Sequence, residues 1–303
     1  MKAIVAGATG FVGTNLVNRL LEKEYEVIVL VNTSNKQLPD WSQAVRVLEC
    51  PGEKICNLDK ICPDRDVDVF FNLAWHGTAG ILRQDYDAQL SNVKYCCDSV
   101  VGARKIGCKK YLYAGSIMEY EAMKSIPCDE VKAPINTIYS VAKLTADFML
   151  KILTNDKGVE YISVIISNIY GQNEKSPRFL NTIIHKMLAN ERIEMTHGNQ
   201  LYDFIYMSDA VEEIILCAEK GKPNHAYYIG NSKQRPLKEF VLEAKKVLRS
   251  DSQIDFGAVE FNGVELTYTE FDTEKVEREL GYIPKISFEQ GVKYLQEAIS
   301  GEN

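Results

Sequence analysis

The first 31 residues constrain this chain more than any other stretch. "KAIVAG" (2–7) is a short apolar run of strand type, and "GATGFVG" (7–13) is a glycine turn. "FVGTNLVNRLLEKEY" (11–25) then carries apolar residues at helical spacing, and "EVIVLV" (26–31) is again strand-like. A strand, a helix and a second strand make a βαβ unit, which predicts a parallel sheet. The alternation continues with strands at 45–50, 67–74, 109–116 and 160–167 and helices over 85–107 and 137–155. The expected fold class is α/β, a Rossmann-type doubly wound parallel sheet. After residue 167 the pattern loosens: a polar loop at 168–179, a helix at 180–190, a turn, strand and helix within 197–221, and amphipathic helices at 236–249 and 288–300. This predicts a dinucleotide-binding domain over 1–167, with 203–230 returning to it. Residues 168–202 and 231–303 then form a smaller C-terminal α/β substrate lobe at the carboxyl edge of the sheet, where such folds bind ligands.

The glycine turn carries a physical reason for each glycine. Gly7 lets the chain turn tightly after the strand, Gly10 lets backbone approach a pyrophosphate, and Gly13 lets the helix pack closely on the strand. The helix start, with Thr9, Phe11 and Val12, presents N–H groups and the positive end of the helix dipole to an anion. Pure packing explains many isolated matches to this pattern. Its position between a strand and a helix favours a dinucleotide. A free ribose 2′-hydroxyl usually meets an acid at the end of the second strand. Here that place reads Val31, Asn32, Thr33, Ser34, Asn35, Lys36. Asn32, Ser34 and Lys36 suit a 2′-phosphate better, so NADPH is favoured over NADH or NAD.

Other classes are disfavoured. Among 303 residues the net charge is −7, which argues against nucleic-acid binding. No apolar run reaches the ~18 residues that span a bilayer, and Lys2 leads into the turn with no secretory pattern. A cytoplasmic protein without membrane contact is expected. The eight cysteines include no CxxC; Cys50, Cys56 and Cys62 are evenly spaced but lack a nearby histidine, so reduced thiols are expected and no metal.

"TIYSVAK" (137–143) places Tyr139 and Lys143 four apart, on one face of a helix. An ammonium beside a phenol favours the phenolate, so Lys143 should bring Tyr139 toward neutrality and fit it for proton transfer to a carbonyl oxygen. Such a pair is often mere surface decoration. Ser116, at the carboxyl end of "YLYAGS", adds a hydroxyl beside the same crevice.

At these residues the chain resembles the extended short-chain dehydrogenase/reductases, the NAD-dependent epimerase/dehydratase group that acts on nucleotide sugars. The resemblance covers nearly the whole chain: GATGFVG, "NLA" (72–74), Asn92, the Ser116/Tyr139/Lys143 set, "SNIYG" (167–171), "DFIYMSDA" (203–210), "YYIGNS" with Gly230, and "LGYIPKISFEQGV" (280–292). It implies Tyr139 as general acid or base, Lys143 as ribose ligand and tuner, and Ser116 as substrate holder. It also implies cofactor contacts at Leu73, Ala74, Trp75 and Asn92, and a homodimer through the helices at 85–107 and 137–155. Substrate contacts are expected from His76, whose commoner alternative is a structural hydrogen-bonder, and from Met118, Asn168, Arg178 and Tyr202; Arg83 and Arg178 are candidate diphosphate ligands whose plain alternative is a solvated surface, and Arg178, in the crevice-side loop, ranks above Arg83.

Departures from the family pattern narrow the chemistry. Family 4,6-dehydratases place Asp-Glu directly after the serine-equivalent position, whereas this chain has Ile117 and Met118, which can move no proton. Family epimerase-reductases use a cysteine two after the serine and a histidine after "YG"; here stand Met118, Gln172 and Asn173. The usual Arg-Asp-Phe reads Tyr202-Asp203-Phe204, which leaves the nucleotide open. The remaining readings are a 4-ketoreductase of a nucleotide-linked 4-keto-6-deoxy sugar, a 4-epimerase with resident NAD, and a silent cofactor-binding sensor.

Overall fold

A computed structural model describes residues 1–33, 38, 39, 41, 44–125, 137–155 and 158–301. Ser34 and Lys36 lie outside the described residues. The first half runs β1 (Lys2–Ala6), α1 (Phe11–Glu22), β2 (Glu26–Val31), β3 (Val45–Glu49), β4 (Val69–Asn72), α2 (Tyr86–Lys105), β5 (Lys110–Ser116), α3 (Met118–Ser125), α4 (Thr137–Asn155) and β6 (Glu160–Ile166). The second half runs β7 (Asn168–Tyr170), α5 (Phe179–Leu188), β8 (Ile193–Met195), β9 (Leu201–Tyr202), β10 (Phe204–Tyr206), α6 (Met207–Lys220), β11 (His225–Ile229), β12 (Arg235–Pro236), α7 (Leu237–Leu248), β13 (Ile254–Phe256), α8 (Lys275–Leu280) and α9 (Phe288–Gly301).

Seven strands form one parallel sheet in the order β11-β6-β5-β4-β1-β2-β3. Alternate residues along β1 enter two different cores. Ala3 and Val5 join the α1/α6 side, while Ile4 and Ala6 join the α2/α4 side. A strand buried on both faces must be apolar along its buried length, which is why Ala3 to Ala6 show no alternation. Strand order reverses between β1 and β4, so the carboxyl ends of these two strands diverge into a crevice.

A third core gathers Tyr170, Ile184, Phe204, Phe240, Phe288 and Val292 from the later elements. Within β10, Ile205 faces the sheet core while Phe204 and Tyr206 face this third core, so the strand joins the two. Two local features differ from the sequence expectation. Residues 168–170, expected as loop, form β7 and pair in parallel with β10. Residues 118–125, given no element from sequence, form α3. Among the described residues no helix is long and apolar enough to cross a membrane, no cysteine is bridged, and no metal-binding cluster occurs.

Candidate active site

The crevice floor begins at the glycine turn. Gly7 has φ +81°, and a Cβ there would sit 2.6 Å from the Leu73 carbonyl carbon, so the turn lies directly on the end of β4. A Cβ on Gly13 would sit 2.1 Å from the Gly7 oxygen. Gly10 differs: its added Cβ would meet only the Gly7 oxygen, at 3.4 Å. Packing therefore demands Gly7 and Gly13 but leaves open space in front of Gly10. The first intrahelical bond runs from the Thr14 N–H to the Gly10 oxygen (2.9 Å), so the Phe11, Val12 and Gly13 N–H groups point out of the helix end. No acid occupies the first turn and no side chain caps it. This neutral, donor-rich cradle fits a dinucleotide pyrophosphate. Asn32 lies exposed just past β2.

Leu73, Ala74 and Trp75 continue from β4 along the crevice. The Trp75 indole N–H donates to Gln89 Oε1 (2.8 Å). The Gln89 amide donates to the oxygens of Gly77 (3.1 Å) and Leu82 (2.9 Å). Asn92 Oδ1 accepts the His76 N–H (2.9 Å) and its Nδ2 donates to the His76 oxygen (2.8 Å). Asn92 thus holds the His76 main chain, while the His76 side chain is exposed. Gln89, fully buried on α2, was not singled out from the sequence. Its spacing one turn before Asn92 was the available signal.

Ser116, Tyr139 and Lys143 come together at the end of β5. Ser116 lies within reach of the Tyr139 phenol and favours its ionised form. Its hydroxyl oxygen also accepts the Met118 N–H (3.2 Å), and its own N–H donates to Glu119 Oε1 (2.9 Å). The Lys143 ammonium donates to the Ala114 oxygen (2.8 Å) and lies 3.7 Å from the centre of the Trp75 ring. Trp75 in turn meets Tyr139 edge-on at 6.0 Å. Burial draws the Lys143 ammonium below its ordinary range. Burial also raises the Tyr139 phenol, against the opposing pull of Arg83, Ser116 and Arg178. The expected move of the phenol toward neutrality is therefore reversed, because desolvation of a nearly enclosed ring outweighs its neighbouring charges.

The remaining candidates spread around this centre. Met118 starts α3 and packs beside Ile117, Tyr228 and Phe271. Asn168 donates to the Asp203 oxygen (3.1 Å) at the β7–β10 pairing. Tyr202 stacks on Phe204 (5.6 Å) and feels the charges of Glu121 and Arg83. Arg178 stands before α5, exposed and paired with Glu174 at 3.9 Å. The cation at the Tyr139 ring is instead Arg83, 4.5 Å from its centre. Glu119, also missed from sequence, is a buried carboxyl whose burial raises its pKa. A Cβ on Gly115 would lie 2.9 Å from its Oε1, so the glycine admits it beneath β5.

The chain is 28% identical over 311 residues to a putative UDP-glucose 4-epimerase of Methanocaldococcus jannaschii, covering 96% of this chain and 95% of the relative. It is 23% identical over 317 residues to the dTDP-4-dehydro-6-deoxyglucose reductase of Escherichia coli, covering 98% and 96%. The crystal structure of the Thermotoga maritima UDP-glucose 4-epimerase with UDP-glucose superposes with a TM-score of 0.81 at 22% identity, covering 100% of this chain and 99% of that one. Residues 3–230 match the NAD dependent epimerase/dehydratase family, and the chain belongs to it.

Proposed function

We propose that this protein reduces the 4-keto group of a nucleotide-linked 4-keto-6-deoxy sugar with NADPH. One observation carries the reading: the Tyr139 phenol is buried at the end of β5 with Ser116 beside it, and burial favours its protonated form. A protonated phenol is equipped to give a proton, the direction reduction requires. Ser116 and Tyr139 hold the carbonyl oxygen, and Tyr139 delivers its proton as the alkoxide develops. Lys143, buried nearby, offsets the phenolate left behind. Ile117, the next residue, is buried and apolar, and Glu119 faces the Ser116 main chain, so neither serves an elimination. When bound, the nicotinamide supplies the hydride. The Gly7–Gly13 turn would hold its pyrophosphate, Leu73 to Trp75 would line it, and Asn32, Ser34 and Lys36 would meet a 2′-phosphate. The Escherichia coli relative, named as a reductase, supports this direction.

A second reading, a 4-epimerase with resident NAD, draws on the Methanocaldococcus jannaschii relative named as a putative epimerase. The test mixes enzyme with CDP-, dTDP-, UDP- and GDP-4-keto-6-deoxy sugars and either NADPH or NADH. Net cofactor oxidation with formation of the 4-hydroxy product, faster with NADPH, is expected. Interconversion of 4-epimers without net oxidation replaces the reductase with the epimerase.

The same reading includes a homodimer. Tyr86 (63% exposed) and Leu90 (61%) on α2, with Phe148 (54%) and Ile152 (73%) on α4, leave an apolar strip on two adjoining helices. A second copy covering this strip would hide it from water. Sedimentation of Ile152→Glu is expected to give half the wild-type mass, and an unchanged mass sinks the idea.

A further inference from the structure

Arg83 reaches the Tyr139 ring by a constrained route. Gly77 and Gly80 both have positive φ (+74° and +68°), and a Cβ on Gly77 would strike the Leu82 Cβ at 2.8 Å. The chain then makes a single 3₁₀ turn over Ile81–Arg83. Gln89 fixes that turn by donating to the Leu82 oxygen (2.9 Å). The guanidinium carbon comes to rest 4.5 Å from the centre of the Tyr139 ring. Its Nε and Nη2 are buried and meet no hydrogen-bond partner among the described residues.

Those two donors set a chemical requirement. A guanidinium is charged at every working pH and carries five donors in a fixed fork. Burying part of that fork without acceptors is unfavourable, and a cation–π contact with a ring face satisfies no N–H. Arg178 makes the contrast, being exposed and paired with Glu174. Glu121 and Tyr202 lie within reach of the Arg83 charge.

Resting on the proposed nucleotide-sugar reading, we propose that Arg83 is a substrate-binding residue whose Nε and Nη2 donate to oxygens of the sugar ring beside the reacting carbon. The position decides which part of the substrate it takes. Tyr139 and Ser116 mark the reacting oxygen, and a donor seated on the Tyr139 ring reaches oxygens on the same sugar ring rather than the diphosphate. A planar fork matches two neighbouring sugar oxygens, hydroxyl or carbonyl, better than a single one. Arg83 thereby sets which sugars fit, and leaves the nucleotide to other residues.

The experiment measures binding rather than turnover. With saturating NADH, the affinities of UDP-, dTDP-, CDP- and GDP-glucose are compared with those of the matching nucleoside diphosphates. Wild type is expected to bind at least one sugar nucleotide tighter than its diphosphate. Arg83→Gln should cut that sugar-dependent gain by about 10-fold or more, as loss of charge-assisted hydrogen bonds does. Diphosphate and NADH affinity should not change, because no contact to either is lost. Arg83→Lys, which keeps the charge but loses the fork, should fall between, and it also serves if the glutamine variant is poorly folded. Equal weakening of diphosphate and sugar nucleotide would make Arg83 a diphosphate ligand and overturn the proposal. An unchanged sugar-dependent gain would make it a structural cation and overturn it too. If wild type shows no such gain with any nucleotide, the proposal fails, and the nucleotide-sugar reading fails with it only where the 4-keto-6-deoxy panel also gives no turnover.

Discussion

The two ends of the crevice are built differently. The glycine turn is main chain: Gly7 and Gly13 are fixed by backbone overlap, and the first turn of α1 carries no acid. The Tyr139 end is side chain: Tyr139 and Lys143 on α4 meet Ser116, Trp75 and Arg83 from three other segments, and burial shifts the pKa of both Tyr139 and Lys143. A main-chain site is set by local sterics and takes one class of ligand, the phosphate anion. A side-chain site is set by tertiary packing, and each member can be altered with the fold kept. The difference teaches where binding and where chemistry can be changed separately.

The largest expected effect lies at the side-chain end. Tyr139→Phe keeps the ring that Arg83 and Trp75 touch and removes only the hydroxyl beside Ser116. Net reduction should fall by ~10²–10⁴-fold, about 3–5 kcal/mol of barrier, the range for a lost general acid. Cofactor affinity by fluorescence titration should not change, because the glycine turn is untouched. A kcat close to wild type would take the phenol out of the chemistry.

The main-chain end divides into two outcomes. Gly13→Ala puts a Cβ 2.1 Å from the Gly7 oxygen, and overpacking of that kind costs about 1–3 kcal/mol or more in stability. Gly10→Ala meets only one atom, at 3.4 Å, so its melting temperature should match wild type. Its NADPH affinity should drop about 10-fold or more, since the methyl fills the space a pyrophosphate needs. Melting curves and NADPH titration of both variants separate the two. Wild-type NADPH binding by Gly10→Ala would mean that no phosphate approaches there, and the turn would then be a packing device only.

The same division explains what could be read from the sequence. The βαβ unit and the doubly wound sheet were legible because β1, β2, β4 and β5 are apolar runs with polar residues only at their ends, alternating with helical segments. The glycine turn was legible because its geometry depends on residues adjacent in sequence. Ser116, Tyr139 and Lys143 stood out by type and spacing, and the structure brings them together. Their electrostatics did not stand out: whether a phenol gains more from a cation than it loses to burial depends on packing that no local pattern encodes. Arg83 ranked below Arg178 as an anion contact for the same reason, since its contact with Tyr139 depends on the Gly77–Gly80 loop and on Gln89. Glu119 is a polar residue inside a helix that only the fold reveals as a buried support, whereas Gln89 had only its spacing from Asn92 to mark it.

The smallest effect tests whether the side-chain end is as desolvated as its geometry implies. Burial raises the Glu121 carboxyl to about 7, and the Arg83 charge opposes that rise. An unfolded chain has this group near ~4.3. A carboxyl raised by folding is tolerated fully while protonated, below the unfolded value, and its contribution is lost as pH climbs through the folded value. Glu121→Gln removes the titration. The variant and wild type should therefore melt with a constant difference below about pH 4.5, and the variant should gain relative to wild type between there and about pH 7, then hold level. Because the carboxyl is only partly enclosed, the gain should be modest, about 1 kcal/mol, or roughly 2–4 °C in a chain of this size. In an Arg83→Gln background the opposing charge is gone, so the same pH-dependent gain should extend to higher pH. A gain that ignores pH, or one that the Arg83 change leaves in place, would show that Glu121 is solvated and that the crevice at Tyr139 is wetter than its packing implies.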